Sequence, residues 1–342
     1  MRERGNKNEI TVSPGRELNH RYTLMTEHVC PVGALTSRDF RFKARVWFLR
    51  TVKGVCNGCA TGCNDYVDYD PRHNKVYRLR PRDNQAVNKF WMCDDGMLSY
   101  HAIHEGRVTR GIVRNGETKA PTPAETIALA ASSLQRANGA KIGVVFSAQF
   151  SSEDNLVLAA FAREVLGSDK LYLGALGGWE GDAILRNEDN NPNRAGALAA
   201  AGGKVGSLAD LLADAGSGQL EGFIALGGPV VETGSALTGL RSLRTSITLA
   251  SNQGPLEEIA KLVVPVTSFA EMDGTFVNVK GMAQRFQRAL QPPEGVKPAW
   301  LTLIELAQLL GKPLALKDLN EVRGALPQIT AHAQAPAPEA QV

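Results

Sequence analysis

Four cysteines limit what this chain can fold into more than any other feature. They run Cys56-x2-Cys59-x3-Cys63, then 29 residues, then Cys93. A cubane [4Fe–4S] cluster needs four thiolates at the corners of a tetrahedron. A compact loop can supply three of them while the fourth arrives from elsewhere. Gly54, Gly58 and Gly62 alternate with the three crowded cysteines. Glycine lets a backbone curl tightly and turn its N–H groups toward sulfur, which offsets the negative charge of a cluster. Structural zinc is the alternative. It also takes four cysteines, but its usual form is two short C-x2–4-C knuckles. Three crowded thiols and one distant one favour iron–sulfur, with zinc or unligated thiols as the plainer outcomes.

The chain holds five cysteines in 342 residues, all between Cys30 and Cys93. An odd, tightly grouped set argues against a disulfide framework and toward metal or cluster binding. Cys30 stands apart, in His28-Val29-Cys30-Pro31-Val32-Gly33-Ala34-Leu35. A cysteine followed by proline is a frequent last ligand of a ferredoxin-type cluster. No cysteine precedes it here, so a buried free thiol stays equally open. The net charge of +3 gives no argument for nucleic acid. No apolar run approaches the length of a bilayer span, and the polar start Met1–Asn8 is no signal peptide. The expectation is a cytoplasmic protein.

Composition divides the chain into four regions. Residues 1–50 are polar, then basic and aromatic. Residues 51–112 hold the cysteine group and short β-like runs such as Lys75-Val76-Tyr77-Arg78-Leu79. Residues 113–312 alternate helical and strand patterns. Residues 313–342 form a tail, rich in Ala, Pro and Gln from about Pro327, whose last part is expected to be disordered.

The third region reads as α/β. A helix capped by Thr122 runs to Gln135, with Ile127, Leu129, Ala130, Ser133 and Leu134 on its apolar face. The run Lys141–Ser147 suits a buried parallel strand. A helix begins at Ser152, and Lys170–Gly174 is the next strand. The pattern continues with helices over Ser207–Ala215, Ser235–Leu243 and Leu256–Ala260, and strands over Gly222–Leu226, Ser246–Ala250 and Leu262–Val266. Residues 176–203 read as a long loop with one short helix. Such alternation predicts a doubly wound, mostly parallel sheet covered on both faces.

At these residues the chain resembles the large iron–sulfur subunit, known as the G subunit, of bacterial NADH-quinone oxidoreductases (respiratory complex I). Four stretches carry the resemblance: Gly5–Ile10 with Cys30–Thr36, Phe40–Leu49, the set Cys56/Cys59/Cys63/Cys93, and Phe269-Ala270-Glu271-Met272-Asp273-Gly274-Thr275-Phe276-Val277-Asn278. The last resembles a signature of the molybdopterin oxidoreductase superfamily's large domain. The resemblance implies a small [4Fe–4S] domain followed by an α/β domain of molybdopterin-oxidoreductase type. It also implies an iron–sulfur electron-transfer subunit passing electrons from NADH toward quinone, without a substrate site of its own. Cys56, Cys59, Cys63 and Cys93 would hold one [4Fe–4S] cluster. Cys30 would match the fourth ligand of a second, whose other ligands are absent. Residues 1–50 would be a remnant of a ferredoxin-like region. The chain then reads as N-terminally truncated, with another polypeptide supplying missing thiolates. Its partners would be other peripheral-arm subunits, and its place peripheral at the inner membrane. Two alternatives remain: an assembly module stapled by a cluster or zinc, and an active molybdopterin enzyme. Against the latter, Cys93-Asp94-Asp95-Gly96 is acidic where such enzymes commonly carry a lysine, and no cysteine follows Cys93.

Other features have plainer expectations. Gly177-Gly178, Gly202-Gly203 and Gly227-Gly228-Pro229 fit tight turns better than phosphate loops. His73, His101 and His104 suit surface or capping roles, and neither His20 nor His28 has the cysteine neighbours of a ligand. Arg38–Arg50 together with Arg72, Lys75, Arg78, Arg80 and Arg82 make a positive surface for an acidic partner. Asp273-Gly274-Thr275 reads as a turn with Gly274 at positive φ. One experiment follows from the spacing. Cys59→Ser is expected to lower iron content on reconstitution and to destabilise residues 51–100; unchanged iron and melting temperature would remove the assignment.

Overall fold

The computed structural model describes residues 2–9, 11–115, 117–228, 230 and 237–327. A short hairpin opens the chain, β1 (Arg2–Arg4) with β2 (Lys7–Glu9). A one-turn helix, α1 (Leu24–His28), follows. Three antiparallel strands then form a small sheet, β3 (Arg50–Val55), β4 (Asn64–Asp70) and β5 (Lys75–Pro81). Buried Asp68 ties the three together: Thr51 on β3 and Arg78 and Arg80 on β5 all donate to it. Burial alone would raise its carboxyl. The hydrogen bonds outweigh that and hold it below the usual carboxylate range. A short helix, α2 (Asp94–Leu98), leads out of this part.

Residues 1–50 are not an appendage. Tyr22 and Met25 are buried in the same apolar cluster as Cys56, Cys63, Cys93, Val67, Val76 and Leu79. Asp94 accepts the backbone N–H groups of Thr23 and Leu24 at 3.1 and 3.0 Å. Phe40 and Phe48 lie over the guanidinium groups of Arg78 and Arg72, at 4.2 and 3.7 Å. The expected basic surface therefore is partly covered by the chain's own aromatic rings.

The remaining chain builds one eight-stranded sheet. Its parts in chain order are β6 (Ile112–Asn115), β7 (Glu117–Lys119), helix α3 (Pro123–Gln135), β8 (Ile142–Ser147), α4 (Ser152–Ala160), β9 (Leu171–Gly174), α5 (Arg194–Ala201), β10 (Gly206–Ser207), α6 (Leu208–Gly216), β11 (Gly222–Leu226), β12 (Thr245–Ala250) and β13 (Leu262–Pro265). The spatial order is β10-β9-β8-β11-β12-β13-β6-β7. The first six run parallel, while β6 and β7 close one edge antiparallel. Taken alone, the parallel strands follow the 3-2-1-4-5-6 order of a doubly wound sheet, which reverses between β8 and β11.

Both faces are covered, as the alternation predicted. Val144, Phe146, Ile224, Leu226, Ile247 and Leu249 pack on one side with α3, α4 and the helix Ala299–Leu309. Val145, Phe223 and Ala225 pack on the other with α6 and residues 237–243. This is why these strands read as unbroken apolar runs. Each fully buried Phe or Leu contributes about 2–3 kcal/mol of burial.

Some expectations needed correction. Leu129, placed on the apolar face of α3, is 44% exposed; Thr126 takes the inward place and donates to the Thr122 carbonyl. Of the helix expected over Ser235–Leu243, residues 235–236 lie outside the described ones, Leu237 is helical, and Thr238–Ser242 tighten into a 3-10 helix. The disordered tail expectation likewise lies there, at 328–342. Residues 319–324 form a helix whose Val322 is fully buried and whose Arg323 pairs with fully buried Glu153 at 3.0 Å. Gly274 is no turn residue. It lies in strand β14 (Gly274–Val277), paired with β15 (Ala283–Phe286), and its missing side chain leaves room for the Phe286 ring.

Burial raises the carboxyl of Glu257 from 4.5 to about 7. A carboxyl raised on folding adds stability that is full below its unfolded value and is lost as pH climbs through its folded value. Stability should therefore fall between about pH 4 and pH 8. Glu257→Gln should flatten that slope by on the order of 2–3 kcal/mol, read by urea unfolding at both ends.

Candidate cysteine centre

Cys56, Cys59 and Cys63 lie in the connection between β3 and β4, and Cys93 is the N-cap of α2. All four are buried. The loop closes through Cys56 N–H donating to the Cys63 carbonyl at 2.8 Å. Gly62, at φ +63°, donates to the Cys59 carbonyl at 3.2 Å. The distant thiol comes back to the group. A Cβ built on Gly96 would lie 3.0 Å from Cys56 Sγ and 3.5 Å from Cys93 Sγ. Only glycine leaves that space to sulfur.

The electrostatics show the same convergence. Burial pushes the Cys56 and Cys63 thiols far above their ordinary value, and the other cysteines and Asp65 add to it. Cys93 rises to about 11, chiefly through burial, with Cys59 and Asp95 adding and the Gly96 N–H and Arg186 opposing. Four thiolates cannot share this space without cationic charge between them, and a metal binds by displacing their protons. Backbone N–H groups are ready for that charge: Gly58 donates to Cys56 Sγ and Gly96 to Cys93 Sγ, each at 3.4 Å. Of the three glycines singled out in the sequence, Gly58 acts as expected, whereas Gly54 pairs within β3 opposite Asp65.

Among the described residues, no group of three or more His, Cys, Asp or Glu side chains is placed to hold a metal ion. A zinc ion with Zn–S bonds of about 2.3 Å draws its sulfurs to about 3.8 Å of one another. The donor set, its burial and its N–H groups fit a cluster.

The cysteine loop is clamped by residues distant in sequence. Val279 N–H donates to the Ala60 carbonyl at 2.8 Å, and Gln284 Nε2 to the Gly62 carbonyl at 2.8 Å. Gln284 also bonds Asn64. Asn278 Nδ2 donates to the Thr61 carbonyl at 3.3 Å. Loop 176–191 adds Thr61 Oγ1 donating to the Leu185 carbonyl and Ala60 N–H to that of Asp189. Sequence reading missed Gln284, Asp189 and Arg186. Asn278 ended the quoted signature and could have been found there.

Cys30 lies apart from the four. It is half-buried, and nearby backbone N–H groups, that of Leu35 foremost, lower its thiol below the ordinary value. It lines a separate cavity of about 360 Å³ with Leu24, Glu27, Phe40, Arg78 and Tyr100. The histidines cap or pair: His104 Nε2 accepts the Val76 N–H, His101 meets Asp39, and His73 meets Asp70.

A larger cavity, about 680 Å³, opens beyond the carboxyl ends of β8 and β11, where the strand order reverses. The cysteine loop reaches it through Asn57 and Gly58, and Gly228 and Ser251–Gly254 line its other wall. Its described lining includes Asp95, Glu105 and Asp154 and no lysine or arginine.

The α/β architecture is shared with a solved enzyme structure. Acetylene hydratase from Pelobacter acetylenicus superposes with a TM-score of 0.54 over 76% of this chain and 69% of its own, at 8% identity, which shows the fold alone. About half of the chain is related in sequence to the G subunit of NADH-quinone oxidoreductase. The Mycobacterium bovis protein of that name is 32% identical over 177 residues, 50% of this chain and 22% of its own length. The NADH-ubiquinone oxidoreductase 75 kDa subunit of Reclinomonas americana is 29% identical over 50% of this chain and 24% of its own. The alpha subunit of the NADPH-Fe(3+) oxidoreductase of Geobacter sulfurreducens is 28% identical over 49% and 20%. The match thus spans less than a quarter of these relatives. No family model matches the chain.

Gly96→Ala tests the convergence. Its methyl would meet Cys56 Sγ, Cys93 Sγ and Met92 Cε. We expect about 1–3 kcal/mol of destabilisation by overpacking, with iron uptake reduced well below wild type in a colorimetric assay.

Proposed function

We propose that Cys56, Cys59, Cys63 and Cys93 hold a [4Fe–4S] cluster and that the chain is an electron-transfer subunit of an NADH:quinone oxidoreductase. The observation that carries this is the meeting of Cys93 with Cys56 across Gly96. When bound, the cluster supplies one-electron transfer. The chain's own residues do the rest. Four thiolates bind the irons, the Gly58 and Gly96 N–H groups steady the sulfur charge, and Tyr22, Met25, Met92 and Leu79 shed water from the centre. Burial of this kind also sets how readily an electron is accepted.

In this reading residues 51–112 form the cluster domain, residues 113–312 a superfamily scaffold, and residues 1–50 a ferredoxin-like remnant that meets other peripheral-arm subunits. Cys30 would be the fourth ligand of a second cluster whose other thiolates a partner chain supplies. The protein would sit peripherally at the inner membrane through its partners; no described helix is long and apolar enough to cross a membrane. A cavity whose described lining is acidic is poorly suited to the phosphates of a pterin dinucleotide, which supports a scaffold over a molybdopterin enzyme.

A stapling role is the second reading. It is favoured by the loop's place at the junction, where β3, β14–β15 and loop 176–191 all bond to it. Anaerobic reconstitution separates the readings. We expect about four irons per chain, an EPR signal on dithionite reduction, and reversible reoxidation by a quinone analogue. Iron that resists reduction would leave only the staple, and zinc or molybdenum in place of iron would overturn the proposal.

A further inference from the structure

We propose that Arg186 tunes the reduction potential of the cysteine centre, as a fixed positive charge brought beside Cys93 from the α/β part of the chain. This rests on the cluster reading above. The segment after Cys93 is acidic, so a charge of the opposite sign has to come from elsewhere.

Arg186 is only 9% exposed. Its guanidinium lies 3.7 Å over the Trp179 ring and 3.6 Å from Asp95, two residues beyond Cys93. Its Nε–H is buried and finds no acceptor among the described atoms. A buried guanidinium with one exposed-edge counter-ion and a free donor is costly unless more negative charge lies near. Here the nearby negative charge would be the thiolate-bound cluster.

The loop is built to hold it there. Trp179 N–H and Nε1 donate to the carbonyls of Glu188 and Asn187, at 2.9 and 2.7 Å. Asp182 accepts the backbone N–H groups of Ile184, Leu185 and Arg186. Tyr22 donates to the same carboxylate at 2.8 Å. Leu185 and Asp189 bond directly to the cysteine loop. A ring and two turns thus fix the guanidinium beside Asp95, two residues from Cys93.

Reduction adds one electron and hence one negative charge to the centre. A fixed cation stabilises the reduced form more than the oxidised one. Arg186→Gln should therefore lower the reduced-to-oxidised ratio at a set potential about tenfold, a downward midpoint shift of about 59 mV for one electron. Arg186→Lys keeps the charge and should stay within about threefold of wild type. Asp95→Asn removes an opposing charge and should raise the midpoint. The test is an EPR-monitored dithionite titration of the reconstituted full chain, with iron measured for each variant. Wild-type iron with an unmoved midpoint in Arg186→Gln overturns the inference, as does an equal fall in Arg186→Lys. If Arg186→Gln holds no cluster, an unmoved midpoint in Asp95→Asn overturns it instead. A wild-type chain that takes up no iron sinks the cluster reading itself, before any variant is compared.

Discussion

Four thiol sulfurs share one buried space, where burial first and neighbouring cysteines second make Cys56, Cys63 and Cys93 harder to ionise. A structure that gathers such groups has to supply tight turns, backbone donors and room between the sulfurs. The β3–β4 connection supplies the turns. Gly58 and Gly96 supply the donors, and Gly96 also leaves the room. The N-terminal segment closes the apolar side with Tyr22 and Met25. These features are separate in sequence and serve one point in space.

The loop is held from two directions at once. Its own sheet grips it through the Cys56–Cys63 backbone bond, and the distant β14–β15 hairpin grips Ala60, Gly62 and Asn64. That arrangement makes the cysteine loop a joint between the small sheet and the large one. Loop 176–191 completes the joint and brings buried Arg186 beside Asp95, two residues beyond Cys93. The large sheet keeps the topology of a ligand-binding fold, with a cavity where the strand order reverses. The lining of that cavity is acidic, and Glu257 lies buried under Gly227 and Gly254 at its edge. The scaffold therefore resembles an enzyme's while its electrostatics differ from those of a phosphate site.

Much of the sheet was legible beforehand because strands buried on both faces leave unbroken apolar runs. Gly222–Leu226 lies where the pattern put it, and Ile142–Ser147, Leu171–Gly174 and Thr245–Ala250 lie within a residue. Errors arose where local pattern competes with packing. Leu129 fits a helical stripe, yet Thr126 turns inward because its hydroxyl can bond the Thr122 carbonyl. Gly274 looked like a turn because glycine so often is one. Here it serves close contact with an aromatic ring on the paired strand.

Cysteine spacing and strand alternation are properties of neighbouring residues, so the chain's order alone was enough to name the four thiols and the doubly wound sheet. Gln284 on Gly62 and Arg186 beside Asp95 join residues about a hundred or more positions apart. No periodicity records such pairs. They exist because packing brings remote loops to the cysteine loop and to Asp95, where burial makes an unpaired N–H or charge expensive.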